Sequence, residues 1–159
     1  MEPNPSTPDP AKDRAFREDL RRHRAELRES IGALEDALAA PPTADQARWA
    51  HRVEAALVEL SGDFREHIDI TESPDGLYHD ILKSSPRLSG SVDNLTREHE
   101  LISGQVENLL ARVTAPEVVQ DVARVRGLGT ALLGRLVRHR QRGSDLIFEA
   151  YQFDIGGET

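Results

Sequence analysis

Apolar residues recur at intervals of three and four along most of the 159-residue chain, which is the spacing of one face of an α-helix. Four long segments follow this pattern. The first begins at Asp9-Pro10, an N-cap followed by proline in the first turn, and continues to about Ala39, where Pro41-Pro42 stops it. Its apolar face comprises Phe16, Leu20, His23, Leu27, Ile31, Leu34 and Leu38.

The second segment opens at Thr43-Ala44-Asp45-Gln46, a sequence typical of a capping box. Its apolar face comprises Trp49, Val53, Leu57, Leu60, Phe64, His67 and Thr71. The turn residues Ser73-Pro74-Asp75-Gly76 end this helix. Leu77 to Leu82 is long enough only for a short helix, which we expect to bridge the ends of two long ones.

The third helix is predicted to start at Ser85-Pro86, and the fourth at a second capping box, Thr114-Ala115-Pro116-Glu117. The third apolar face comprises Val92, Leu95, His99, Ile102, Val106, Leu109 and Val113, and the fourth comprises Val118, Val122, Val125, Leu132, Leu136, His139, Leu146 and Ala150. Each glycine inside a helix costs about 1 kcal/mol relative to alanine. The fourth segment holds Gly127, Gly129, Gly134 and Gly143, which predict a kink or a close helix contact.

Short connections between four long helices predict an all-α, antiparallel up-down four-helix bundle over residues 10–155. A short connecting helix lies between the second and third long helices. Residues 1–9 are polar and rich in proline and have little surface to bury, so we expect a disordered tail. Residues 156–159 are expected to fray.

The composition agrees with this fold class and excludes several functions. With 38% hydrophobic but only 4% aromatic residues, the core must consist mainly of leucine, valine and alanine. No apolar run of about 18 residues or signal-peptide pattern occurs, so we predict a cytoplasmic protein without membrane contact. A net charge of −8 argues against nucleic acid as a partner. The absence of cysteine excludes thiolate metal sites and disulfides.

Four histidines occupy the apolar faces, one on each long helix: His23, His67, His99 and His139. Any one of them is best explained as a hydrogen-bonded core residue. If about three of seven helix positions face the core, four such placements have a chance probability of about three in a hundred. Their positions along the helices converge toward one end of an antiparallel bundle. A metal ion would satisfy all four imidazoles, whereas His51 and His79 are expected at the surface.

These histidines give the chain a resemblance to the hemerythrin-like, or HHE cation-binding, domain family, of which it would be a divergent member. The segments that carry the resemblance are Arg21-Arg22-His23-Arg24, His67 to Glu72, Arg97-Glu98-His99-Glu100, and Arg138-His139-Arg140 through Asp145 to Tyr151. The resemblance covers about residues 13–156. It implies a four-helix bundle that binds non-haem iron, as one ion or a bridged pair, and acts in oxygen binding, redox or nitric oxide sensing, or iron handling.

Both carboxylates of the family pattern are displaced by one residue in this sequence. The family usually has glutamate four residues after the second histidine, where this chain has Thr71 and then Glu72. It usually has aspartate five residues after the last histidine, where this chain has Ser144 and then Asp145. A one-residue π-bulge in each helix would restore the phase. The alternative is a turn cap at Glu72 and a surface charge at Asp145; Glu149 is a more distant candidate ligand.

The third helix also departs from the family, which usually has two histidines four residues apart there. His99 stands alone between Leu95 and Ser103, so a five-histidine iron pair and reversible oxygen carriage are not expected. The candidate metal ligands are therefore His23, His67, Glu72, His99, His139 and Asp145. Iron is the first choice, with manganese or zinc as alternatives and no metal if the site has decayed. We expect fewer or less tightly held ions than in a complete centre.

Three functions compete on these residues. The first is a metal-binding protein whose partners are the ion and a small diatomic ligand; a homodimer is compatible with it. The second is a metal-free bundle that binds another protein. The third, a ferritin-like oxidase, needs glutamate three residues before a histidine, where this chain has Leu20, Phe64, Thr96 and Leu136. Nucleophile motifs and phosphate-binding loops are also absent from the sequence, which favours a binding protein over an enzyme.

Overall fold

A computed structural model describes residues 9–42, 45–115 and 121–152 of the chain. The α-helices in these ranges are Pro10–Ala39 (α1), Gln46–Glu72 (α2), Leu77–Ser84 (α3), Ser89–Thr114 (α4) and Val122–Tyr151 (α5). These ranges contain no strand, which confirms the all-α prediction. Of the predicted tails at residues 1–9 and 156–159, residues 1–8 and 156–159 lie outside the described residues, whereas Asp9 is ordered as the N-cap of α1.

The four long helices form a closed ring of neighbours. α1 packs against α2 and α5, and α4 packs against the same two helices from the opposite side. The short helix α3 and a 3-10 turn, Pro86–Leu88, connect α2 to α4, and α3 also touches α5. This arrangement is the predicted four-helix bundle with its short connecting helix.

The first two helix starts show how local capping sets the boundaries. At α1 the Asp9 carboxylate accepts a hydrogen bond from Ala11 N at 3.0 Å, as the cap-then-proline pattern predicts. At α2 the N-cap is Asp45, whose Oδ1 accepts from Arg48 N at 3.0 Å. The predicted cap at Thr43 lies outside the described residues.

The third and fourth long helices begin later than predicted. Pro86 starts a single 3-10 turn, and the α-helix follows from Ser89. The hydroxyl of Thr114 donates back to the carbonyl of Leu110 at 2.9 Å, so this residue closes the last turn of α4 and does not cap α5. α5 starts at Val122, after residues that lie outside the described ranges.

Gly76 permits the tight reversal from α2 into α3. A Cβ atom at this position would lie 2.6 Å from the carbonyl oxygen of Ile70 and 2.9 Å from those of Thr71 and Ser73. Rigid backbone atoms cannot move aside cheaply, so a side chain here would force the turn open. The reversal holds α3 against the end of α2.

The buried side chains form two clusters with the histidines between them. The larger cluster includes Phe64 and fills the end of the bundle where α1 ends. The smaller one includes Tyr78 and fills the end covered by α3. Phe64 stacks on His67 with ring centroids 5.6 Å apart, and Tyr78 stacks on His99 at 5.9 Å. A polar layer therefore separates two apolar cores.

α1 and α5 are locked together at the end far from this layer. The guanidinium of Arg126 donates to the carbonyls of Leu38 at 2.9 Å and Ala40 at 2.8 Å, which completes the C-terminal turn of α1. The same group lies over the ring of Trp49, 5.6 Å from its centroid.

Among the described helices, none is both long and apolar enough to cross a membrane.

The close helix contact expected from the glycines of α5 occurs at Gly129. A Cβ there would overlap the buried side chain of Leu38, whereas a Cβ on the exposed Gly127 would meet nothing within 4 Å.

We predict that Gly127→Ala raises the free energy of unfolding by up to about 1 kcal/mol through helix propensity. Gly129→Ala should lower it, because overpacking a core costs about 1–3 kcal/mol.

Urea unfolding followed by far-ultraviolet circular dichroism measures both changes, and Gly127→Ala serves as the matched control. Equal stabilisation by the two substitutions would contradict the close contact between α1 and α5.

Candidate metal centre

Three of the four predicted histidines meet in the interior. His67 on α2, His99 on α4 and His139 on α5 each offer a ring nitrogen, and these nitrogens all lie within 4.8 Å of one another. The Nε2 atoms of His67 and His139 are 3.2 Å apart. His99 and His139 are almost fully buried, and His67 is partly buried. We call these three residues the histidine cluster.

Phe64, one turn before His67 on α2, closes the side of the cluster that faces the larger core. Its ring centroid lies 5.6 Å from those of His67 and His99 and 6.0 Å from that of His139. An aromatic wall at this distance excludes water from one side. The cluster can therefore be reached only from its other sides.

Two of the imidazoles are oriented by carboxylates from neighbouring helices. His99 Nδ1 donates to Glu72 Oε2 at 2.6 Å, and His139 Nδ1 donates to Glu98 Oε1 at 2.8 Å. The other oxygen of Glu98 pairs with Arg142. Because each carboxylate accepts the Nδ1 proton, the Nε2 atom of each ring keeps its lone pair free for another partner.

Burial keeps the cluster neutral. Burial, with a smaller contribution from His139, lowers the pKa of His99 to about 3. Burial, with a smaller contribution from Arg24, lowers the pKa of His139 to about 4. The pKa of His67 is also well below its ordinary value, first through burial and then through His99 and His139. Neutral imidazole is the form that binds metal ions, so no proton has to be displaced from these rings near neutral pH.

A cavity of about 30 Å³ adjoins the cluster. His67 and His139 form part of its wall together with Tyr78 and Arg24, and apolar side chains of α1, α2, α3 and α5 form most of the rest. This volume exceeds the roughly 10–15 Å³ that a cavity needs to hold one water molecule. The cavity therefore has room for a small molecule beside the cluster.

The proposed π-bulges do not occur. α2 and α5 are continuous α-helices through these positions, so Thr71 and Ser144 keep the inward phase. Thr71 is buried and its hydroxyl donates to the carbonyl of His67 at 2.8 Å. The hydroxyl of Ser144 accepts a hydrogen bond from Arg24, which also donates to the carbonyl of Arg140 at 3.2 Å. Hydroxyl groups thus stand where the family usually has carboxylates.

The two displaced carboxylates, Glu72 and Asp145, lie in different positions relative to the cluster. Glu72 reaches the cluster from outside, through its bond to His99. Asp145 is exposed, and its Oδ1 accepts from Gln141 Nε2 at 2.9 Å, so the structure does not bring it to the cluster. Each residue in an α-helix turns about 100° from the last, which points Asp145 away from the core. Glu149 is likewise exposed and pairs with Arg87 at 3.2 Å.

His23 lies apart from the histidine cluster, although it lines the same cavity as His67. Its Nδ1 is 3.7 Å from Glu26 Oε2 and 3.9 Å from Glu66 Oε1, and these atoms form a second, more exposed group of possible ligands. His23 therefore shares the cavity with His67 and His139 but is not part of the group of nitrogens within 4.8 Å. His51 and His79 are exposed, as expected.

Two residues at the site were not among the sequence candidates. Glu98 precedes His99 but reaches across to His139 on α5. The hydroxyl of Tyr78 lies 3.5 Å from His99 Nε2, and burial raises its pKa above the ordinary value. Glu98 could have been found as a carboxylate flanking the apolar face, but Tyr78 sits on a short helix whose packing has no sequence signal.

The fold and the cluster together define a four-helix-bundle protein with a buried polyhistidine centre of the kind that holds a cation. The family model described as the hemerythrin HHE cation binding domain matches residues 15–151. The chain belongs to this family, as its resemblance implied. No curated protein and no solved structure gave a significant match.

The depressed histidine pKa values predict how stability depends on pH in chelator-stripped protein. The ordinary pKa of histidine is 6.5, whereas the pKa values of His99 and His139 in the folded protein are about 3 and about 4. Between these values the unfolded chain binds more protons than the folded one. The free energy of unfolding should therefore fall as the pH is lowered through this window. Urea unfolding at a series of pH values measures this slope.

Two variants isolate the contribution of the imidazoles. His99→Gln should give a shallower slope than the wild type, whereas His51→Gln, at an exposed position, should leave it unchanged. Burial raises the pKa of the Glu72 carboxyl, which acts in the opposite direction, so the comparison between variants is decisive. Identical slopes for the wild type and His99→Gln would contradict a neutral, buried His99.

Proposed function

We propose that His67, His99 and His139 hold a single non-haem metal ion, with iron as the first choice. The observation that carries the proposal is the convergence of three neutral imidazoles, with ring nitrogens within 4.8 Å of one another, in a family of cation-binding domains. Glu72 acts as an orienting residue in this proposal, and Asp145 and His23 are left out of the ligand set. Fewer ions are then held than in the family's complete iron pair.

The distance between ring nitrogens supports a shared ion. Two nitrogens bound at about 2.0–2.1 Å to one metal lie about 2.9 Å apart at a right angle and about 3.4 Å apart at the tetrahedral angle. The observed 3.2 Å between Nε2 of His67 and Nε2 of His139 falls between these values. Little movement of these two rings is therefore needed to accept an ion.

The carboxylates on His99 and His139 support the same assignment. Histidines that bind metals usually donate the other ring nitrogen to a carboxylate, which fixes the tautomer and raises the basicity of the ligand. Glu72 and Glu98 do this for two of the three rings. A hydrogen-bonded core histidine does not need its second nitrogen turned toward two other imidazoles.

The physiological role that we propose is sensing of a diatomic or redox signal. An iron ion held by three protein ligands supplies open coordination positions for a small molecule. The chain contributes a cavity of about 30 Å³ whose lining joins His67 and His139 to apolar side chains and to Arg24. A cavity of this size suits a diatomic ligand, which supports sensing or iron handling as the role.

Metal titration tests the proposal. Chelator-stripped, untagged protein should take up one ion per chain when iron(II), manganese(II) or zinc(II) is added, and its melting temperature should rise. At a free metal concentration about 100 times Kd, the added stability is about 2.7 kcal/mol. His99→Ala and His139→Ala should abolish uptake, while His23→Ala and the exposed control His51→Ala should retain it.

Other outcomes separate the alternatives. Two tightly held ions, with one lost in His23→Ala, would return that residue to the ligand set. No uptake and no melting shift with any of the three metals would overturn the proposal in favour of a metal-free interaction module.

Glu98 provides a sharper test of the orienting carboxylates. Glu98→Gln keeps an oxygen acceptor for His139 but removes the charge, so we expect metal affinity to fall by about 10–100-fold. Glu100→Gln, an exposed change two residues later on α4, should leave affinity unchanged. Competition with a chelator of known affinity gives the dissociation constant of the metal for each variant. Equal constants for the two variants would contradict the orienting role of Glu98.

A further inference from the structure

We propose that Tyr78 is a fourth ligand, whose phenolate oxygen completes the centre when the bound ion is iron(III). This inference rests on the proposed function, because it concerns the same site. It adds a ligand from the short helix α3 to the three histidines of the long helices.

The position of Tyr78 relative to His99 is the first argument. Its hydroxyl oxygen is 3.5 Å from His99 Nε2, and the two rings stack with an interplanar angle of 12°. Glu72 holds Nδ1 of the same imidazole, so Nε2 is the nitrogen that faces the centre. The phenol oxygen therefore lies next to the ring nitrogen that is available to an ion.

Burial and shared walls are the second argument. Tyr78 is only 5% exposed, and it lines the same cavity as His67 and His139. Its backbone is held in place by the tight turn at Gly76. A hydroxyl delivered to this point by a packed helix needs little reorganisation to bind an ion.

Charge balance is the third argument. The three imidazoles are neutral, and the carboxylates of Glu72 and Glu98 on their outer nitrogens supply at most two negative charges, so a trivalent ion would remain incompletely compensated in a medium of low dielectric constant. Among the residues that the structure describes, no carboxylate lines the cavity, and the lining includes the cationic residues Arg24 and Arg140. Within this lining, Tyr78 is the side chain that can become an anion by losing a proton. Tyrosine is an established iron ligand in other proteins.

The binding step is balanced without any redox change. The phenolic O–H bond breaks, the proton passes to solvent, and the oxygen electron pair forms a bond to iron(III). The charge of the ion and its ligand together falls from three to two. The competing explanation is that Tyr78 only packs on His99 and hydrogen-bonds within the core, which predicts no bond to iron.

A phenolate bound to iron(III) gives a visible charge-transfer absorption that histidine ligands do not give. Chelator-stripped protein is loaded with iron(II) without oxygen, oxidised with ferricyanide, and freed of excess reagent. Visible absorption, resonance Raman scattering excited within the band, and iron content are then measured. We expect phenolate vibrations in the wild type and their loss in Tyr78→Phe.

The chain offers a matched control because it has two tyrosines. The hydroxyl of Tyr151 donates to Asp80, at the surface end of α5, and lines no part of the cavity. Tyr151→Phe should keep the band. If Tyr78→Phe fails to fold, a band that persists in Tyr151→Phe still assigns it to Tyr78.

The outcomes distinguish this inference from the function on which it rests. Wild-type protein that holds iron(III) but shows no phenolate band overturns the role of Tyr78 and leaves the three-histidine site standing. A band that survives Tyr78→Phe also overturns it. Protein that holds no iron overturns both.

Discussion

The structure depends on how three imidazoles are accommodated inside an apolar bundle. Burying a polar group without a partner costs several kcal/mol, and a charged imidazole would cost more. The chain meets this constraint in two ways. Glu72 and Glu98 accept hydrogen bonds from His99 and His139, and these two imidazole rings also contact each other. Because each histidine comes from a different long helix, these bonds also fix the relative heights of α2, α4 and α5.

The fold was predictable wherever the signal was local. α1 runs from Pro10 to Ala39 as expected, because an Asp-Pro start and a Pro-Pro stop act on their own turn. The start of α5 was not predictable, because a threonine can cap the next helix or bond back to the last one, and Thr114 does the second. The neighbouring backbone decides which of these two hydrogen bonds forms, and the spacing of apolar residues does not indicate it.

The site was predictable to the level of helix faces. Periodicity alone placed His67, His99 and His139 toward the core, since a helix turns by a constant angle per residue. It could not separate His23, whose partners are set by how closely α1 approaches α2. It also could not find Tyr78, because the position of a short connecting helix follows from packing at the end of the bundle.

The shared carboxylate of Glu98 connects the interior to the ionic strength of the surroundings. Its outer oxygen pairs with the half-exposed Arg142, while its inner oxygen holds the buried His139. Dissolved salt screens the outer contact strongly and the inner one weakly. As salt concentration rises, we expect the negative charge of Glu98 to be shared less with the guanidinium and to act more fully on the imidazole. The basicity of a buried ring is thereby coupled to the electrolyte outside the protein.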